Sequence, residues 1–175
     1  MRTTKRITYC GVTVALLLAV QMVLSGIAGV ELVTAVFLCF CVASGVKMSM
    51  LTATAYALVR CLIFGFTPTA VILYLIYWNL FSLLFGFMGA HMQKAHTVAQ
   101  IAVFTALAVI MTVCFTMLDN LITPLYYGFT ASAARNYFYA SLPVLFPQVL
   151  CVACSVPVLF VPLFGVFRFV MKHIQ

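Results

Sequence analysis

The chain reads as a succession of apolar runs separated by short polar or turn-forming breaks, and the runs have the size that a lipid bilayer demands. An α-helix needs roughly 20 predominantly apolar residues to cross the hydrocarbon core. Six runs meet or approach that length: Ile7 to Ala28, Leu32 to Val46, Met48 to Phe66, Ala70 to Ala90, Val98 to Leu118 and Leu142 to Met171. The second is short and the third carries Arg60, which sets these two apart from the rest. The predicted fold is all-α: one polytopic membrane domain over residues 1–175, with six transmembrane helices and no internal repeat, low-complexity tract or linker.

Two stretches depart from this regular pattern. The last run contains Pro143, Pro147, Pro157 and Pro162, each of which removes a helix hydrogen bond, so a bent or tilted final helix is expected. Before it lies the one long connection, Asp119 to Ser141, with Pro124, Gly128 and five tyrosines or phenylalanines ahead of Tyr139. Long loops are either functional or disordered, and this aromatic content argues against disorder, so the connection is expected to act as a lid.

Composition supports the membrane reading and excludes others. Of 175 residues 66% are hydrophobic and only 6% charged, too few to build the exposed face of a water-soluble fold. Nine Lys and Arg against two Asp and Glu give a net charge of +7, but the charges sit at the ends of apolar runs. With no basic stripe interleaved with exposed aromatics, nucleic acid is excluded as a partner and the charge reads as topology.

Placing the N-terminus in the cytoplasm puts Arg2, Lys5, Arg6, Lys47, Lys94, Arg168 and Lys172 on the cytoplasmic side. Only Arg60 and Arg135 then fall on the outer half, as the positive-inside rule requires. Both termini are predicted inside, and His91, His96 and His173 lie on that side too. The first run is too long for the apolar segment of a cleaved signal peptide, about 7–15 residues, so it is expected to remain as a helix. Most of the seven cysteines, Cys10, Cys39, Cys41, Cys61, Cys114, Cys151 and Cys154, lie inside apolar runs and are expected to pack as small hydrophobes. Cys151 to Cys154 spells C-x-x-C without a neighbouring histidine or second cysteine pair, so neither a metal site nor a disulfide framework is expected.

Candidate chemistry collects at the outer end. Glu31 opens the second segment, Arg60 lies about two turns below the outer end of the third, and Asp119 and Asn120 close the fifth. An ionisable group at membrane depth is costly in lipid, so Arg60 must face protein or water and find a partner. Trp78 and Asn79 lie about 12 Å below the outer end of the fourth segment, close to the depth of Arg60. Tyr74 and Trp78 are four residues apart and share a helix face, so an aromatic platform stands opposite a cation. Such a pocket suits a small planar or amphipathic molecule. Alternatively Glu31 and Arg60 form a structural ion pair, Asp119 and Arg135 are solvated loop charges, and Tyr126, Tyr127, Tyr137 and Tyr139 belong to an interfacial belt. No H-E-x-x-H, G-x-S-x-G or Walker sequence is present, so the chain cannot itself hydrolyse a nucleotide, and no cofactor is expected.

Small residues recur at a spacing of four in the first segment, Gly11, Ala15 and Ala19, and line one helix face. Together with the basic N-terminus, the outer polar cluster, and the stretches Val30 to Thr34, Tyr56 to Phe66 and Tyr74 to Trp78, this pattern resembles the substrate-binding S components of energy-coupling factor (ECF) transporters. These are vitamin importers of bacterial and archaeal plasma membranes. The resemblance covers the whole chain and is architectural more than literal. It implies a subunit that captures a vitamin-class small molecule outside, at Glu31, Arg60, Tyr74, Trp78, Asn79, Asp119 and Asn120. It also implies docking through Gly11, Ala15 and Ala19 on a transmembrane coupling subunit, which works with two cytoplasmic ATPase subunits. The first outer connection, Ser25 to Val30, is shorter than the lid some family members carry there, which is why the Asp119 to Ser141 connection is expected to close the pocket. Two other classes fit the residues: a small membrane enzyme acting on a lipid or isoprenoid head group, and a structural or assembly subunit.

Overall fold

The computed structural model describes residues 2–27, 29–92 and 96–174. Six helices account for nearly all of them: α1 (Arg2–Leu24), α2 (Val33–Ser44), α3 (Val46–Phe64), α4 (Pro68–His91), α5 (Thr97–Tyr127) and α6 (Ala131–Ile174). There is no strand among the described residues. Five of the six are long and apolar enough to cross a membrane, which makes this an all-α, multi-pass membrane protein. Lys94, expected among the cytoplasmic charges, lies outside the described residues.

The exception is α2. Its 12 residues extend only about 18 Å at 1.5 Å each, short of the roughly 30 Å hydrocarbon core, although it joins one end of the bundle to the other. Every residue from Val33 to Val42 is buried, and α2 packs against all five other helices. A helix that is apolar all round belongs in an interior, and here the others are wrapped around it. Phe37 and Phe40 carry that packing: Phe37 meets Trp78 edge-on at 5.2 Å and Phe81 at 5.8 Å, and Phe40 meets Phe167 at 5.7 Å. At the far end of α2 the chain turns at Gly45, whose φ of 76° favours a residue without a side chain, and α3 begins at once.

Two glycines of α4 let it approach this turn. A Cβ on Gly86 would lie 2.9 Å from the Val46 backbone, and one on Gly89 would lie 2.8 Å from that of Val42. Gly86 and Gly89 are therefore contact points where helices meet backbone to backbone.

The expected long connection is not a loop. α5 continues through Asp119 to Tyr127 and α6 starts at Ala131, so only residues 128–130 separate them. Gly128 ends α5 in the left-handed conformation, φ 64°, with its N–H and that of Phe129 donating to the Pro124 carbonyl. Thr130 opens α6, its side-chain oxygen accepting from the Ala133 N–H. The polar residues that looked like a stop are matched across the hairpin: the Tyr137 hydroxyl donates to Asp119 at 2.7 Å and the Asn120 amide donates to Ser141 at 3.0 Å. A helix runs on through polar residues when a neighbour satisfies them. The 44 residues of α6 reach about 66 Å at 1.5 Å per residue, with all four prolines inside the helix.

One end of the bundle carries Lys5 and Arg6 at the start of α1, Lys47 at the start of α3, and Arg168 and Lys172 near the end of α6. The other end holds the loop between α1 and α2, the end of α3 and the start of α4. Glu31 and Arg60 lie there.

Candidate functional site

At the Glu31 end every element of the fold contributes to one cavity of about 360 Å3. α1 supplies Gln21, the following loop Glu31, α3 Tyr56 and Arg60, α4 Tyr74, Tyr77 and Trp78, α5 Thr112 and Phe115, and α6 Gln148. Val33, from the first turn of α2, completes the lining. Four residues singled out from the sequence, Glu31, Arg60, Tyr74 and Trp78, are thus brought together.

Arg60 is placed by aromatic rings. Its Cζ lies 4.0 Å from the centroid of Tyr74 and 5.3 Å from that of Phe64, one turn on. Tyr74 is in turn held edge-on by Phe115 at 5.5 Å. Stacking holds the cation where desolvation is costly, but it supplies no hydrogen-bond acceptor. Among the described residues Arg60 has no ion pair, and its buried Nε has no partner. The proposed Glu31–Arg60 pair does not form.

Trp78 forms part of the wall. It is 2% exposed and meets Phe37, Tyr56 and Tyr77 edge-on at 5.2, 5.3 and 5.1 Å, with Phe81 at 5.5 Å. The aromatic platform expected of Tyr74 and Trp78 is therefore already engaged: Tyr74 stacks on Arg60, and Trp78 is packed among rings. What Trp78 leaves over is its indole N–H, buried and without a partner among the described residues.

Beside it, the Tyr56 hydroxyl donates to Gln21 at 2.6 Å, tying α3 to α1. Glu31 is half-buried and accepts from the Thr34 hydroxyl at 3.1 Å. Burial pushes its carboxyl above the ordinary carboxylate range, with the Thr34 hydrogen bond opposing the shift.

The rim of the cavity is the short loop between α1 and α2, and it is fastened to α6. The Glu31 N–H donates to the Cys151 sulfur and the Cys151 thiol donates to the Glu31 carbonyl, both at 3.4 Å. Gly29, at φ 81°, sits on Pro147 so closely that a Cβ would overlap the proline ring. Ser25, Ile27, Gly29 and Val30 all line the cavity, so the loop thought too short to serve as a cover forms its edge.

Three residues expected in the site are elsewhere. Asn79 faces α3, accepting from Thr54 at 3.2 Å and donating to the Leu75 carbonyl at 2.8 Å. Asp119 lines a separate cavity of about 290 Å3 between α5 and α6, where it accepts from Tyr137 and Thr123. Asn120 holds Ser141. Phe115 and Gln148 line both cavities and stand between them.

Gly11, Ala15 and Ala19 lie on an exposed face of α1, with nothing within 4 Å of a Cβ built on Gly11. Of the cysteines, Cys10, Cys39, Cys41 and Cys61 are buried as expected, Cys151 is half-buried, and Cys114 and Cys154 are exposed.

Sequence reasoning missed Gln21, Tyr56, Tyr77, Thr112, Phe115 and Gln148. Gln21 and Gln148 carried a signal, since each is a lone amide inside an apolar run. Comparison with models of protein families, with curated proteins and with solved structures finds no match.

Proposed function

We propose that this protein is the substrate-capture subunit of an importer of the ECF type, binding a vitamin or similar micronutrient at the outer face of a bacterial or archaeal plasma membrane. The observation that carries this reading is the cavity at the Glu31 end, into which all six helices and the first loop contribute. A pocket of that volume with a few convergent polar groups is the form taken by small-molecule sites. It contains no set of residues equipped for catalysis: one carboxyl, one guanidinium and amide or hydroxyl groups, with all three histidines outside it. A binding role therefore has more support than an enzymatic one.

The exposed small-residue face of α1 supports the second half of the reading. Gly11, Ala15 and Ala19 are exposed, and a Cβ on Gly11 would meet nothing within 4 Å, so the face is open to a neighbour. A transmembrane coupling subunit would lie against this face, and two cytoplasmic ATPases would supply the energy.

The test uses the single tryptophan, Trp78, in the cavity wall. The purified protein is titrated with a panel of vitamins and their precursors while Trp78 emission is followed. A saturable change with one compound, together with co-purification of a coupling subunit, is expected. Silence across the panel combined with no co-purifying partner rejects the reading.

A further inference from the structure

The hydrogen-bonding groups of the cavity are unbalanced, and the imbalance is informative about what enters. Arg60 presents five N–H donors and, among the described residues, has no protein acceptor for any of them. Its Nε is fully buried and unpartnered, and so is the indole N–H of Trp78 on the same wall. On the acceptor side, Gln21 Oε1 is taken by Tyr56 and Glu31 Oε1 by Thr34. Among the described residues the cavity thus holds buried donors with no protein acceptor, one of them on a cation that makes no ion-pair contact. Leaving a buried donor unmade costs more than a formed bond returns, and an unpaired cation at this depth costs most of all.

We propose that the ligand of this cavity is a small anion, whose carboxylate or phosphate oxygens accept from the Arg60 guanidinium and the Trp78 indole N–H. This inference rests on the substrate-capture reading and specifies the chemistry of the same site. A planar guanidinium fixed against Tyr74 and Phe64 offers its edge to two oxygens at once, the geometry that carboxylate and phosphate groups match. The Tyr74 face is already covered by Arg60, so the ring anchors the cation rather than stacking on the ligand. The remaining body of the ligand meets Leu24, Ile27, Val30 and Phe115, so an apolar or amphipathic body with one anionic end fits the lining. Burial pushes the Glu31 carboxyl above the ordinary carboxylate range, which lessens its opposition to an anion in the same cavity.

The test compares matched probes that differ in charge at one end. Nicotinate is set against nicotinamide, pantothenate against pantothenol, and pyridoxal phosphate against pyridoxal, each titrated by Trp78 emission and by thermal shift on the intact protein in nanodiscs. In at least one pair the anionic member is expected to bind about tenfold or more tightly than its neutral partner, from the strength of charge-assisted hydrogen bonds. Arg60→Gln is expected to abolish that difference, and Arg60→Lys to keep part of it. The wild-type pair comparison requires no variant and stands even where Arg60→Gln fails to fold. Equal or tighter binding of the neutral members overturns the inference while leaving substrate capture intact, as does an anionic preference unchanged in folded Arg60→Gln. No saturable response to either member of any pair overturns this inference. If the wider vitamin panel is silent as well and no coupling subunit co-purifies, the capture reading falls with it.

Discussion

The guanidinium of Arg60 lies over the ring of Tyr74, with Cζ 4.0 Å from the centroid, and this contact holds a cation at the cavity wall without neutralising it. Replacing Tyr74 by Leu removes the ring face and frees Arg60 to leave the wall, whereas Tyr74→Phe keeps the face. A cation–π contact is worth about 0.5–2 kcal/mol, so Tyr74→Leu is expected to weaken ligand binding several-fold or more while Tyr74→Phe stays close to wild type. Titration by Trp78 emission separates the two. Equal losses in both variants would assign the effect to the hydroxyl.

Close helix approach makes a second prediction that concerns stability alone. Gly86→Ala and Gly89→Ala drive a methyl group into the backbone of Val46 and Val42, where nothing flexible can give way. Overpacking of this kind costs about 1–3 kcal/mol, so both variants are expected to melt at clearly lower temperature in detergent. Gly11→Ala is the internal control, because its Cβ meets nothing within 4 Å. A melting temperature unchanged in Gly86→Ala and Gly89→Ala would contradict the helix packing described above.

The same exposed face of α1 provides the third test. Ala15→Leu with Ala19→Leu adds bulk where this chain leaves both positions exposed, so fold and ligand affinity are expected to be retained. On the proposed importer reading, transport and co-purification of a coupling subunit should both be lost. Loss of ligand binding in this variant would make the face part of the chain's own packing.

Much of this arrangement was legible from spacing, and the failures share one cause. Tyr74 and Trp78 stand four residues apart and Arg60 lies at matching depth, so simple helix geometry brought them together. Asn79 follows Trp78 directly, but one residue rotates the helix by about 100°, which turns its amide away from the cavity to Thr54. Asp119 and Asn120 had the polarity of a helix end. Their partners, Tyr137 and Ser141, lie 18 and 21 residues further on, so only the paired hairpin shows that α5 continues. Likewise α2 has the composition of a span, and its role as the buried hub depends on five neighbours that no local pattern reports. Gln21 and Gln148 converge from α1 and α6, a contact that periodicity within either helix cannot reveal.

The hairpin residues make the fourth prediction. Tyr137→Phe removes the donor of the 2.7 Å contact between α5 and α6, and Asp119→Asn removes the charge on its acceptor, neither touching the principal cavity. Losing one charge-assisted hydrogen bond costs about 1.5–3 kcal/mol at most, less where solvent reaches it, so a modest drop in melting temperature is expected. Ligand affinity should remain at the wild-type value. A tenfold loss of affinity in either variant would place the second cavity in the binding path.

The last prediction follows from Glu31. Burial raises its folded-state pKa above the ordinary value, so the folded protein retains a proton that the unfolded chain releases. With more protons bound in the folded state, stability declines as pH rises from the unfolded value through the raised folded one. Anion binding has the same sign, because ionised Glu31 would place a negative charge in the cavity while neutral Glu31 does not. The groups that share the cavity with it are Arg60, Tyr56, Tyr74 and Tyr77, and Cys151 holds its backbone from α6. Affinity for an anionic probe should therefore fall as pH rises through that window. Glu31→Gln, which cannot ionise, should flatten the profile and hold affinity near its low-pH value. An anionic probe that binds more tightly as pH rises, or a Glu31→Gln profile as steep as wild type, would show that another group controls the site.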